Sequence, residues 1–136
     1  MKVLVADNSI TMRKVIARSV RAVGFDNEVP VTTVEACDGE QAIKTFQNAD
    51  FDLVVTEWDI EKRNGLEVVK EIRLLNKLVP IIMVTSTTQR EKVLAALNAG
   101  VTEYVLKPFT GTALRERLKK YFEDLHEEEL EIAETT

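Results

Sequence analysis

Hydrophobic positions along this chain follow two rhythms in turn. Short runs rich in β-branched residues occur at Lys2–Ala6, 31–36, Leu53–Thr56, Ile81–Thr85 and Glu103–Leu106. Between them, apolar residues recur every three or four positions, the spacing of one helix face. Five strand-then-helix units, with no Pro/Gly/Ser linker and no internal repeat, predict a single α/β domain. The runs VLVA, LVV and IIMV are almost continuously apolar, which suits parallel strands covered on both faces. The run VPVTTVEA differs, because Pro30, its threonines and Glu35 fit an edge strand.

Helix boundaries are marked as well. Asp38 with Gln41 and Thr88 with Glu91 have capping-box spacing. Gly24 is expected to stop the first helix after Ile16, Val20 and Val23, and Gly100 the fourth after Val93, Leu94 and Leu97. Val93, Leu97, Leu114 and Leu118 read as core by their helical spacing. Five βα units joined by right-handed crossovers give a five-stranded parallel sheet with helices on both faces, in the flavodoxin-like order 2-1-3-4-5. In such a sheet a ligand site lies beyond the carboxyl ends of the strands, at the switch point between the first and third.

Length and composition narrow the class. The 136 residues fill one core and leave no room for a second domain beside it. At 45% hydrophobic and 30% charged, the chain is not of a disordered or low-complexity type. One cysteine, Cys37, forms no internal disulfide, and with one histidine, His126, a Cys/His zinc cage is excluded. No apolar run approaches the roughly 18 residues of a membrane span, and MKVLVAD lacks a signal pattern, so a cytoplasmic protein is expected. Residues 123–136 hold seven of the 23 acids and no Lys or Arg, so residues 1–122 carry 18 basic against 16 acidic residues. A nearly neutral body with an acidic tail offers no basic stripe for phosphates, which disfavours nucleic-acid binding. The expected organisation is a domain over 1–122, followed over 123–136 by an acidic helix extension or disordered tail, with an acidic partner contact as the lesser alternative.

The residues just past the inner strands form a polar set. They are Asp7 and Asn8, then Glu57, Trp58 and Asp59, then Thr85 and Ser86, and Lys107 before Pro108. Acids facing a lysine and a hydroxyl are what holding Mg²⁺ and neutralising a phosphoryl group require. No glycine-rich phosphate loop follows any strand, which disfavours nucleotide- and flavin-binding variants of this architecture and a small α/β enzyme.

VLVAD at the start, SITMRKV, LVVTEW, the NGLE turn, IIMVTS, NAG and YVLKPF occur in an informative order. On these motifs residues 1–122 resemble the receiver domains of bacterial response regulators, among them the stand-alone chemotaxis receivers of the CheY type. The resemblance implies two-component signalling, in which an aspartate at the end of the third strand takes a phosphoryl group from a histidine kinase. Mg²⁺ is then held by that aspartate and an acidic pair after the first strand. The resemblance assigns Asp7 to the first acid, Thr85 to the switch hydroxyl, Lys107 to the phosphate-site lysine and Tyr104 to the switch aromatic. It also implies a cis Lys107-Pro108 bond. The chain departs at the centre: the acceptor position holds Glu57, the second acid is Asn8, and Glu61 stands where proline is common, so the loop over the site is expected to differ.

Glutamate adds one methylene, and about 1 Å of misplacement costs on the order of 100-fold in a positioned reaction. Its carboxylate is expected to reach toward Lys107 and pair with the ammonium. Asn8 removes a formal charge, so the metal set Asp7, Asn8, Glu57 and Asp59 is expected to hold Mg²⁺ weakly or not at all. The expectation is a degenerate receiver, not an enzyme, acting through protein contacts without aspartate phosphorylation. Glu57 would either hold a phosphorylated-like arrangement or fix an inactive one. The competing reading is a phosphorylatable response regulator, or one into which Glu57 was engineered, served by a histidine kinase with Mg²⁺. Trp58 is expected at the rim, partly exposed. By the same resemblance Arg90, Lys92, Tyr104 and Lys119 mark an outward face for a histidine kinase, motor component or other signalling protein, in a monomer or weak dimer.

Overall fold

A computed structural model describes the backbone of residues 1–135 and the side chains of residues 1–123. The elements alternate strictly: β1 (Lys2–Ala6), α1 (Ile10–Asp26), β2 (Thr32–Ala36), α2 (Gly39–Gln47), β3 (Leu53–Thr56), α3 (Gly65–Leu75), β4 (Ile81–Thr85), α4 (Arg90–Ala99), β5 (Glu103–Leu106) and α5 (Gly111–Thr135). The five strands form one parallel sheet in the order β2-β1-β3-β4-β5. β2 is one edge of the sheet, as its Pro-preceded, threonine-rich run predicts, and β5 is the other.

Period-two alternation divides the core. Val3, Val5, Leu53, Val55, Ile82 and Val84 pack with Ile16, Val20 and Val23 of α1 and with Leu114, Leu118 and Phe122 of α5. Leu4, Ala6, Val54, Ile81 and Met83 point the other way, onto α2, α3 and α4. Both faces of the inner strands are therefore dry, which is why they read as unbroken apolar runs.

Several local expectations are corrected. Gly24 does not stop α1, which continues to Asp26 and closes at Asn27, whose N–H and side-chain amide both donate to the Val23 carbonyl. Glycine is needed there because the returning chain is close: a Cβ would lie 2.4 Å from Val31 Cγ2 and 2.7 Å from the Val29 oxygen. Gly100 does stop α4, in the left-handed region at φ 112°. Thr88 and Glu91 form no capping box; Gln89 precedes Arg90 without a side-chain cap. Asp38 caps α2 by accepting from Gln41 N–H, but the Gln41 side chain accepts from Cys37 rather than from Asp38. The full capping box belongs to Asn64 and Glu67 at α3, a signal present in NGLE that sequence reasoning passed over. Finally, Leu97 is 45% exposed and Val93 only half-buried. α4 sits on the sheet through Ala95, Ala96 and Ala99 instead, which leaves its leucines outside.

Candidate functional site

The crevice is assembled by backbone bonds between neighbouring strand ends. Asp7 N–H donates to the Ala36 carbonyl, Glu57 N–H to the Ala6 carbonyl and Lys107 N–H to the Thr85 carbonyl. Each site residue thus leaves its strand at a height set by the parallel register. The Lys107-Pro108 peptide is cis.

Lys107 Nζ donates to Asp7 Oδ2 at 2.9 Å and lies 2.6 Å from Glu57 Oε2. Asp7 is 2% and Glu57 6% exposed, so both carboxylates face the ammonium with little water around them. Their other oxygens are also occupied. Asp7 Oδ1 accepts from Ser9 N–H, and Glu57 Oε1 accepts from the N–H groups of Trp58 at 2.7 Å and Asp59 at 3.3 Å. Burial disfavours a charged Lys107, but hydrogen bonds to Glu57 and Asp7, with their charges, outweigh it and lift its pKa above the ordinary lysine value.

A second set of bonds closes the loop after β4. Thr85 is fully buried, and its Oγ1 accepts from Thr87 N–H. Thr87 Oγ1 donates to Asp59 Oδ2 at 3.4 Å, and the Tyr104 hydroxyl donates to the Thr87 carbonyl at 2.7 Å. Tyr104 is half-buried, and burial, then the charges of Glu57 and Asp59, raises the pKa of its phenol.

Of the four expected metal donors, only Asp7 and Glu57 meet, and they meet on Lys107. Asn8 is exposed, and Asp59 is exposed and engaged by Thr87. Among the described residues no cluster of three or more His, Cys, Asp or Glu side chains is arranged to hold a metal ion. Two of the expected donors are thus buried carboxylates paired with an ammonium, and a third position is the neutral Asn8.

Two expectations on outlying residues need correction. Trp58 is buried, at 7% exposure, in the core between the sheet and α2–α4, with Lys92 Nζ 5.6 Å from its ring centroid. Nor do Arg90, Lys92, Tyr104 and Lys119 make one outward face. Arg90 is exposed, Lys92 covers Trp58, Tyr104 turns in to Thr87, and Lys119 lines a cavity with Val23, Asp26 and Asn27 at the α1 side of α5. Arg117 and Lys120, through Glu103, are the α5 cations that flank β5. The α4–β5 surface also exposes three leucines, Leu94, Leu97 and Leu106.

Sequence reasoning missed Arg13, whose Nη1 donates to the Asp7 carbonyl at 2.7 Å while its Nε reaches Glu35. A cation six residues past a strand-end acid, facing an acid on the edge strand, was the available signal.

Residues 3–119 match the family described as the response regulator receiver domain. The chain belongs to that family. This receiver is 39% identical over 127 residues to the chemotaxis protein CheY-3 of Vibrio cholerae, covering 92% of this chain and 94% of that one. It is 37% identical over 125 residues to CheY of Pseudomonas aeruginosa, covering 90% and 97%. Among solved structures, the chemotaxis response regulator CheY4 of Vibrio cholerae superposes with a TM-score of 0.75 at 31% identity, over 88% of this receiver and 97% of that chain. Among the described residues no helix is long and apolar enough to cross a membrane.

Proposed function

We propose that this chain is a chemotaxis-type signalling receiver that works through protein contacts, with Glu57 at the acceptor position pairing with Lys107 in place of phosphoryl transfer. The observation that carries the reading is the 2.6 Å contact between Glu57 Oε2 and Lys107 Nζ. The lengthened carboxylate delivers a permanent negative charge to the amine that would otherwise meet a transferred phosphoryl group. Its other oxygen is tied to two backbone N–H groups, which leaves it poorly placed as a nucleophile. The identity to chemotaxis proteins supports the signalling context.

On this reading Asp7, Thr85 and Tyr104 keep the receiver's positions but serve a single state. Asp7 shares the ammonium, Thr85 fixes the Thr87 amide, and Tyr104 holds the Thr87 carbonyl. Glu57 acts as a fixed charge that biases a two-state element to one side. The partner, a histidine kinase, motor component or other signalling protein, reads that state. Residues 1–122 form the receiver and 123–136 an acidic appendage.

Amide NMR spectra with and without Mg²⁺ and beryllofluoride, a phosphoryl mimic, test the reading. The expected spectra coincide for the 85–90 segment, Tyr104 and Lys107. Saturable shifts there would establish the competing reading, a phosphorylatable regulator with a working metal site.

A further inference from the structure

The outer face of α1 differs from the rest of the surface. From Ile10 to Phe25 the helix contains Arg13, Lys14, Arg18 and Arg21 and no acid. Ile10, Lys14, Arg18, Arg21 and Phe25 all lie exposed at helical spacing, forming one stripe with three cations in the middle and an apolar residue at each end. Phe25 is 85% exposed. Within the molecule this charge is only partly answered. Glu35 accepts from both Arg13 and Lys14, and among the described residues Arg21 donates to the neutral Thr33 hydroxyl. Arg18 has no ion-pair partner among the described residues.

Residues 123–136 are the opposite in kind, with seven acids, no Lys or Arg, and Leu125, Leu130 and Ile132 among them. The backbone continues α5 as helix to Thr135. Both α1 and α5 return from the same end of a parallel sheet, so they run in the same direction. Gly24 marks their common level, since a Cβ there would lie 3.3 Å from the Phe122 ring. Beyond Phe122 the helix backbone therefore continues past the end of α1.

We propose that the α1 stripe is the docking surface for the acidic α5 extension of a second copy of this chain. An inverted second copy places each extension antiparallel to the other's α1, so the contact is made twice around one two-fold axis. The lengths are comparable: at roughly 1.5 Å per residue, 123–135 rises about 18 Å and Ile10 to Phe25 about 22 Å. The cations of the stripe meet acids, and the exposed Ile10 and Phe25 offer apolar seats at both ends to a segment that carries leucine and isoleucine. Charge complementarity of this kind sets partner choice and weakens with salt.

Sedimentation velocity of the full chain tests this by charge exchange. The wild type is expected to dimerise at low salt and to dissociate as salt rises. Arg18→Glu with Arg21→Glu should weaken the dimer at least tenfold, and Glu127→Lys with Glu128→Lys and Glu131→Lys should do the same. Mixing the two variants should restore a heterodimer, which loss of fold in either could not produce; unchanged circular dichroism of each checks folding separately. A wild type that stays monomeric at low salt, or a dimer that neither exchange weakens, overturns the proposal. So does a monomeric chain that binds phosphatidylserine vesicles or duplex DNA through Arg18 and Arg21, since the face would then belong to a membrane or a nucleic acid.

Discussion

Glu57 Oε2 and Asp7 Oδ2 share one ammonium, that of Lys107, at 2.6 and 2.9 Å. Two buried carboxylates beside a single cation leave the crevice one negative charge in excess, and their further bonds to backbone N–H groups are what make that tolerable. The lysine is therefore the residue on which the site's stability rests.

Replacing it tests this. Lys107→Met removes the cation from between two acids that are almost fully buried, and should destabilise the domain by about 3–5 kcal/mol, the usual cost of an orphaned buried charge. Adding Glu57→Gln should recover part of the loss, because one of the two repelling charges goes. Urea unfolding midpoints of the single and double variants check both statements.

The alkaline limb of stability follows from the same lysine. Its folded pKa lies above 10.5, so its contribution is fully present below that value and is lost as pH rises through the folded value. The gap in unfolding free energy between wild type and Lys107→Met should stay level up to the ordinary lysine pKa and narrow above it.

Tyr104 gives a second, optical handle. Burial and the nearby charges of Glu57 and Asp59 raise its phenol above 10.0, so the folded chain keeps it protonated where an unfolded chain ionises, and its contribution to stability falls as pH rises past that point. Tyrosinate absorbance, with Tyr104→Phe as the blank, should show this phenol ionising later than a free one. Tyr104→Phe also leaves the Thr87 carbonyl without its donor and should cost about 1 kcal/mol.

Much of this architecture is legible in the sequence for a physical reason. Four of the five strands begin and end at the expected residues; for β1, β3 and β4 the reason is that central parallel strands must be apolar on both faces, and such runs have sharp ends. Asp7, Glu57 and Lys107 were readable as neighbours because each directly follows a strand of one parallel sheet. Less was legible where packing chose between equivalent patterns. α4 offers a leucine stripe and an alanine stripe, and periodicity alone does not say that the alanines face the sheet. Trp58 looked like a rim residue because its neighbours are polar, yet the chain turns it into the core. Arg13 reaches Asp7 through a backbone carbonyl, so only its spacing from that acid and its pairing with Glu35 pointed to it.

Gly24 supplies a test of packing away from the site. Gly24→Ala places a methyl group against the Val29 carbonyl and the Val31 side chain, and should cost about 1–3 kcal/mol despite alanine's better helix propensity. Thermal unfolding should show the loss with no change in the beryllofluoride spectra.

The central claim is that a glutamate clasping Lys107, beside a neutral Asn8, stands in for phosphoryl transfer. Intact mass after exposure to Mg²⁺ and acetyl phosphate, run side by side on the wild type and on the Glu57→Asp, Asn8→Asp double variant, tests it most directly. The account predicts a hydroxylamine-labile phosphoryl adduct on the double variant and none on the wild type; equal labelling of the two would contradict it.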